Sequence, residues 1–179
     1  MTKLAVFQQA AAQAVRLFNA RSRLGVWEFS SLLDGPRDYR QVVPPRPLGT
    51  RVGAVDQRAL VISATARMRP VGNTGLYDTI DAGYRAVLRS WRADQQNILV
   101  VMTDGKNEDI SGLSLPQLVS SLRAHASPKR PITAIFIAYG ADADVRSLAT
   151  AAAAVRGRTY WAQKPTDIGK VFLAAMVNR

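Results

Sequence analysis

The chain has 179 residues, with 24 Lys and Arg against 13 Asp and Glu, one His and no Cys, for a net charge of +11. That length suits one compact domain with its own core, and the lack of cysteine excludes disulfides and thiol catalysis. The basic groups, among them Arg21/Arg23, Arg67/Arg69, Lys129/Arg130 and Arg156/Arg158, are scattered with no block of five, so they read as solvated surface and exclude a nucleic-acid interface.

Leu4, Phe7, Ala11, Ala14/Val15 and Phe18 recur at helical spacing and predict an amphipathic first helix. Met1-Thr2-Lys3-Leu4 runs straight into it, without the pattern of a signal peptide. Leu24–Ser31 reads as a strand, Asp34-Gly35-Pro36 as a turn, and Tyr39–Val43 as a second strand. Pro44, Pro45 and Pro47 then oppose a continued ladder, which makes this strand short or places it at an edge. Val55–Met68 reads as a helix that stops before Pro70. Gly72-Asn73-Thr74-Gly75 is a tight loop, and Leu76, Ile80, Tyr84 and Val87/Leu88 line one face of the next helix.

Asn97–Met102 is an unbroken apolar run ending in Thr103-Asp104-Gly105, the pattern of a strand buried on both faces. A polar loop, a helix over Leu115–Ala126 and a second apolar strand over Ile132–Tyr139 follow. Asp144–Val155 is an Ala-rich helix and Thr159–Ala162 a short strand. Pro165 opens a last helix with Ile168, Val171, Phe172 and Met176 inward. Strands alternating with helices predict a mostly parallel sheet covered on both faces, a three-layer α/β/α sandwich of Rossmann-like type over residues 1–179. No apolar run approaches the ~20 residues of a membrane span.

Open parallel sheets bind ligands beyond the carboxyl ends of their strands. That edge gathers Ser30, Ser31, Thr74, Asp104 and Asp142, all hard oxygen donors, which suit Mg²⁺ or Mn²⁺ better than Zn²⁺. Read singly, each has a plainer role. Thr74 is a turn residue, Asp104 an Asp-Gly turn, Ser30 and Ser31 strand-end hydrogen-bond partners, and Asp142 and Asp144 acids at a helix N-terminus. Glu108-Asp109 reads as solvated loop charge or as the margin of a metal site. His125 reads as an exposed residue at a helix end, on the edge opposite to where a Ser-His-Asp triad would need it. Trp27 and Trp161 read as core or sheet-face residues. Gly72–Gly75 lacks the Gly-Lys-Ser/Thr ending of a phosphate loop.

Gly72-Asn73-Thr74-Gly75-Leu76-Tyr77-Asp78, the strand Ile98–Thr103 with Asp104-Gly105, and the phrases Val26-Trp27-Glu28-Phe29-Ser30, Ala138–Asp144 and Pro165–Ile168 come in an ordered set. That set resembles von Willebrand factor A (vWA) domains, in particular the vWA modules of actinobacterial cell-envelope proteins that are often fused behind a solute-binding domain. The resemblance implies a metal-ion-dependent adhesion site. In it a first strand supplies Asp-x-Ser-x-Ser, a Thr matching Thr74 and an Asp matching Asp104 complete the ligands, and an acidic group of a partner fills the open position. The chain contains no Asp-x-Ser-x-Ser. By the same resemblance, Met1 stands just past that motif, and the chain is truncated by the central strand that belongs between Leu24–Ser31 and Ile98–Met102. That strand is then encoded upstream, donated by a second chain, or replaced by direct pairing of its two neighbours.

The resemblance therefore implies a binding module and not an enzyme, with a protein or other acidic extracellular ligand, Mg²⁺ or Mn²⁺ held at Thr74 and Asp104, and a cell-envelope location. Two direct contacts hold Mg²⁺ weakly, so no tight site is expected in this chain alone. The alternatives are a metal-independent interaction or scaffold module of the same fold, or a metal-dependent hydrolase such as a phosphatase.

Overall fold

The computed structural model describes residues 3–69, 71–164 and 167–177. The elements are α1 (Lys3–Leu17), β1 (Arg23–Asp34), β2 (Arg37–Pro47), β3 (Arg51–Val52), β4 (Val55–Asp56), α2 (Gln57–Arg67), α3 (Leu76–Arg89), β5 (Ile98–Thr103), α4 (Leu115–His125), β6 (Thr133–Tyr139), α5 (Val145–Ala154), β7 (Arg158–Ala162) and α6 (Ile168–Val177). Pro165, expected to open the last helix, lies outside the described residues, as do the side chains of Phe172 and Met176.

β5, β6 and β7 form a parallel sheet with β6 in the middle. Period-two alternation sends the side chains of β6 to opposite faces. Ala134, Phe136 and Ala138 pack with Leu76 and Ile80 of α3, Leu118 and Leu122 of α4, and Leu148 and Ala151 of α5. Ile135 and Ile137 face Phe18 and Val171, while Tyr139 joins Ala10 of α1 and Ile168 of α6. Both faces are covered by helices, which explains why this strand reads as a continuous apolar run.

β1 and β2 form a separate antiparallel pair. The ladder runs through the prolines to Pro47, further than the expected end at Val43. A bulge makes this possible. Leu24 pairs with Arg46 and Val26 with Val43, so Gly25 stands against Pro44 and Pro45, which have no N–H to give. A Cβ on Gly25 would come within 2.9 Å of the Pro45 nitrogen and the Val43 carbonyl. The fully buried Gln57 amide then donates to the carbonyls of Leu24 (3.0 Å) and Pro44 (2.7 Å). The expected helix from Val55 starts at Gln57, because Val55 and Asp56 close a small hairpin with Arg51 and Val52. Asp56 caps the helix by accepting the N–H of Ala59 at 2.8 Å.

Among the described residues, no strand joins β1 to β5. Helices hold the two sheets together instead. α3 contacts β1, β2 and β5, and α1 places Val15 with Val43, Leu48 and Val61 while Ala10 joins Tyr139 and Ala162. Each of β1 and β5 therefore keeps one edge without a strand partner among the described residues. β5 was expected to be buried on both faces, yet Val100 is 36% exposed and Ile98 and Leu99 are only partly buried. An apolar strand at a sheet edge lacks the neighbour that would cover it.

No helix among the described residues is long and apolar enough to cross a membrane.

Candidate metal-binding rim

β5 ends at Thr103, and its hydroxyl accepts the Gly105 N–H at 3.2 Å, turning the chain across the carboxyl edge with Asp104 exposed at the bend. Thr74 lies just before α3, in the loop that enters the helix at Gly75. A Cβ on Gly105 would stand 3.1 Å from Thr74 Oγ1, so that hydroxyl rests against the Asp104-Gly105 turn. The two loops expected to contribute Thr74 and Asp104 thus meet on one rim.

The end of β1 holds the Thr74 loop from the other side. Ser31 N–H donates to the Asn73 carbonyl at 2.7 Å. Gly72 has φ +63, and a Cβ there would come within 2.6 Å of Ser30 Oγ. Ser30 and Ser31 therefore stand beside the loop, with Ser30 buried and Ser31 Oγ lacking a hydrogen-bond partner among the described residues.

The segment after Asp104 folds back over α3. Glu108 N–H donates to the Thr74 carbonyl at 2.8 Å, and Thr74 N–H donates to Glu108 Oε2 at 3.1 Å. Asn107 Oδ1 accepts the N–H groups of Leu76 (2.9 Å) and Tyr77 (3.0 Å). Because Gly75 has no side chain, Asn107 supplies from a distance the cap that a Ser or Asp would supply locally. The sequence reading missed this role of Asn107. It rests on a contact across roughly thirty residues of chain, and no local pattern marks it.

Asp142 lies further along the edge, on an open hollow of about 590 Å³ with Lys106, Asp144 and Trp161. Asp144 is a helix cap, accepting from Ser147 N (3.0 Å) and Ser147 Oγ (2.6 Å), and these bonds hold its carboxyl below the usual range. Trp161 was expected in the core or on a sheet face. It is 45% exposed, tied through Nε1 to the Gly140 carbonyl at 2.9 Å.

A second set of acids converges behind the rim, and sequence reasoning did not assemble it. Asp38 of β2, Asp78 in the first turn of α3 and Asp109 of the folded-back loop each bring an oxygen within 4.8 Å of the others. Burial pushes the Asp38 carboxyl up, and the charges of Asp109 and Asp78 add to this. Hydrogen bonds from Ser111 hold Asp109 down. No local clue marks Asp38, which precedes the expected strand at Tyr39 and lies in a strand whose burial does not alternate.

His125 is half-buried and not exposed as expected, with Nδ1 2.8 Å from the Ser121 carbonyl. Ser121 Oγ donates to Asp81 at 2.5 Å and lies 3.4 Å from His125 Nδ1. The carboxylate accepts the serine hydroxyl directly, and the imidazole Nδ1 meets the Ser121 carbonyl, so the three do not stand in the Ser-His-Asp order that activates a nucleophile. Asp81 also pairs with Arg85 at 2.8 Å, so the group stitches α3 to α4.

No family model matches the sequence. Among solved structures, one described as a von Willebrand factor type A protein from Catenulispora acidiphila superposes with a TM-score of 0.73 at 19% identity, covering 96% of this chain and 37% of that one. The chain has the vWA fold. Two further solved structures share the fold. Proximal thread matrix protein 1 of the mussel byssus gives a TM-score of 0.69 at 15% identity, covering 97% of this chain and 42% of that one, in a structure described with a zinc-occupied MIDAS motif. BatB of Bacteroides thetaiotaomicron gives 0.64 at 12% identity, covering 98% of this chain and 89% of that one. By sequence, two uncharacterized proteins of Mycobacterium tuberculosis, one from each of two strains, are 31% identical over 140 residues, 78% of this chain. The matched part of this vWA-fold chain spans 20% of the length of those relatives.

Proposed function

We propose that this vWA fold is a cation-dependent ligand-binding module and not an enzyme. Its rim gives a divalent ion two protein oxygens, the Thr74 hydroxyl and the Asp104 carboxylate, and an acidic group of a protein ligand takes the open coordination position. The observation that carries the reading is the packing of Thr74 Oγ1 against the turn that bears Asp104. The neighbour with an occupied MIDAS motif supports it. Since that motif holds zinc, the rim is read as a site for a divalent cation, with Mg²⁺ or Mn²⁺ preferred for the hardness of the oxygens.

The remaining ligands belong, in this reading, to an extended segment that pairs between β1 and β5. The edges of β1 and β5 that have no strand partner among the described residues support it. So does the exposure of apolar Val100 at one of them. A strand entering that slot would pair the edge groups and cover Val100. The structure leaves β1 and β5 unpaired with each other, and a segment from outside residues 1–179 is the reading that fills the slot.

Calorimetric titration of Mg²⁺ and Mn²⁺ into two proteins tests this. One is the 179-residue chain; the other carries an added N-terminal apolar strand ending in Asp-x-Ser-x-Ser. We expect binding at the rim to be weak in the first and at least tenfold tighter in the second, and to be lost from the second on Thr74→Ala or Asp104→Ala. Equal affinity in both proteins, or binding insensitive to Asp104→Ala, would overturn the reading in favour of a metal-independent scaffold.

A further inference from the structure

The acids behind the rim carry an inference independent of Thr74 and Asp104. Asp38 is 3% exposed. Its Oδ1 accepts the Leu32 N–H at 2.8 Å, while the buried Oδ2 meets no N–H or hydroxyl donor among the described residues and has the Asp109 carboxyl beside it. Oδ2 points to the start of α3, where a Cβ on Gly75 would overlap it. Asp78 Oδ2 accepts the Leu113 N–H at 2.8 Å, and Asp109 Oδ1 accepts Ser111 N (2.9 Å) and Ser111 Oγ (2.7 Å). A Cβ on Gly112 would overlap the Oδ2 atoms of both Asp78 and Asp109. Glycines at these two places let three carboxylates from three separate elements close on one another.

This convergence is unfavourable unless positive charge lies within it. The chain carries a net +11, yet none of the ion pairs among the described residues involves Asp38, Asp78 or Asp109. Only a proton held between carboxylates or a bound cation can reconcile them. One proton serves two carboxylates and leaves the third facing them. The donors are all hard oxygens, and three protein carboxylates suit calcium better than magnesium, which keeps most of its waters and takes one or two carboxylates. The three ligand atoms lie within 4.8 Å of one another, close enough for one ion to reach them all.

We propose that Asp38, Asp78 and Asp109 form a second cation site, selective for Ca²⁺, which pins the 105–113 segment to α3 and β2. The ion neutralises the buried Asp38 oxygen and ties down the same loop that begins at Asp104. The site needs neither the slot between β1 and β5 nor an acidic partner.

The test is calorimetric titration of CaCl₂ and MgCl₂ into the chelator-treated 179-residue chain, with melting temperature and terbium luminescence as second readouts. We expect one Ca²⁺ equivalent, tighter than Mg²⁺ by at least tenfold, and a melting temperature raised by Ca²⁺. Asp104→Ala should keep this response, which separates the site from the rim. Asp109→Asn and Asp38→Asn should each weaken it at least tenfold; two variants are used so that misfolding of one still leaves the other. No calcium heat or shift in the wild type would overturn the proposal. So would a response retained in both Asn variants or lost in Asp104→Ala. A wild type indifferent to calcium, together with a calcium-free Asp38→Asn that melts higher, would show that the carboxylates share a proton only.

Discussion

Single residues place the rim, and two of them permit direct tests. Gly72 sits at φ +63 with Ser30 Oγ 2.6 Å from where a Cβ would stand. Gly72→Ala combines backbone strain with a clash, and we expect it to destabilise the fold by more than ~1 kcal/mol, read from denaturant unfolding. Asp144 caps α5 through Ser147, and Asp144→Ala should cost about 1 kcal/mol near neutral pH. The sign of its pH dependence follows from a folded-state pKa below the unfolded one. The charged cap stabilises fully above the unfolded value of about 3.9 and loses that contribution as pH falls through the folded value. The gap between wild type and Asp144→Ala should therefore stay constant from pH 8 to 6 and shrink in acid; a gap that widened in acid would refute the assignment. At this scale the positions of Thr74 and Asp104 were legible because each flanks a strongly patterned element, α3 or β5. Asn107 and Asp38 were not, since each acts on residues far away in the chain.

At the scale of elements, the strength of the pattern decided what could be read. β6 and α3 carry unambiguous signals: β6 starts one residue after its expected start, and Leu76, Ile80 and Tyr84 form the buried face of α3. β2 lies at a sheet edge, as its prolines require, but runs past the expected end at Val43 because the prolines were judged without their partner strand. The bulge at Gly25 and the buried Gln57 amide absorb the groups that the prolines leave over. β5 shows the converse, since an apolar run speaks of what a strand is made to face and not of what covers it. Phe136 at the centre of β6 is fully buried among α3, α4 and α5. Phe136→Ala should cost ~3–5 kcal/mol, a large part of the ~5–15 kcal/mol that holds a domain together, and thermal melting would register it.

For the whole molecule, the decisive feature is a sheet in two pieces joined by helices. In the 179-residue chain, the β5 amides that face away from β6 should exchange with solvent orders of magnitude faster than those of β6. Hydrogen exchange would measure this, and equal protection on both strands would mean that the free edge is already paired. By itself, the sequence determined the alternation of helices and strands, the apolar faces and the two rim loops, because periodicity and turn chemistry act over a few residues. Only the tertiary structure decided that the Thr74 hydroxyl touches the Asp104 turn, that Asp38, Asp78 and Asp109 converge, and that β1 and β5 stand apart. Those outcomes depend on hydrogen bonds and charges meeting across dozens of residues, where no local period records the partner.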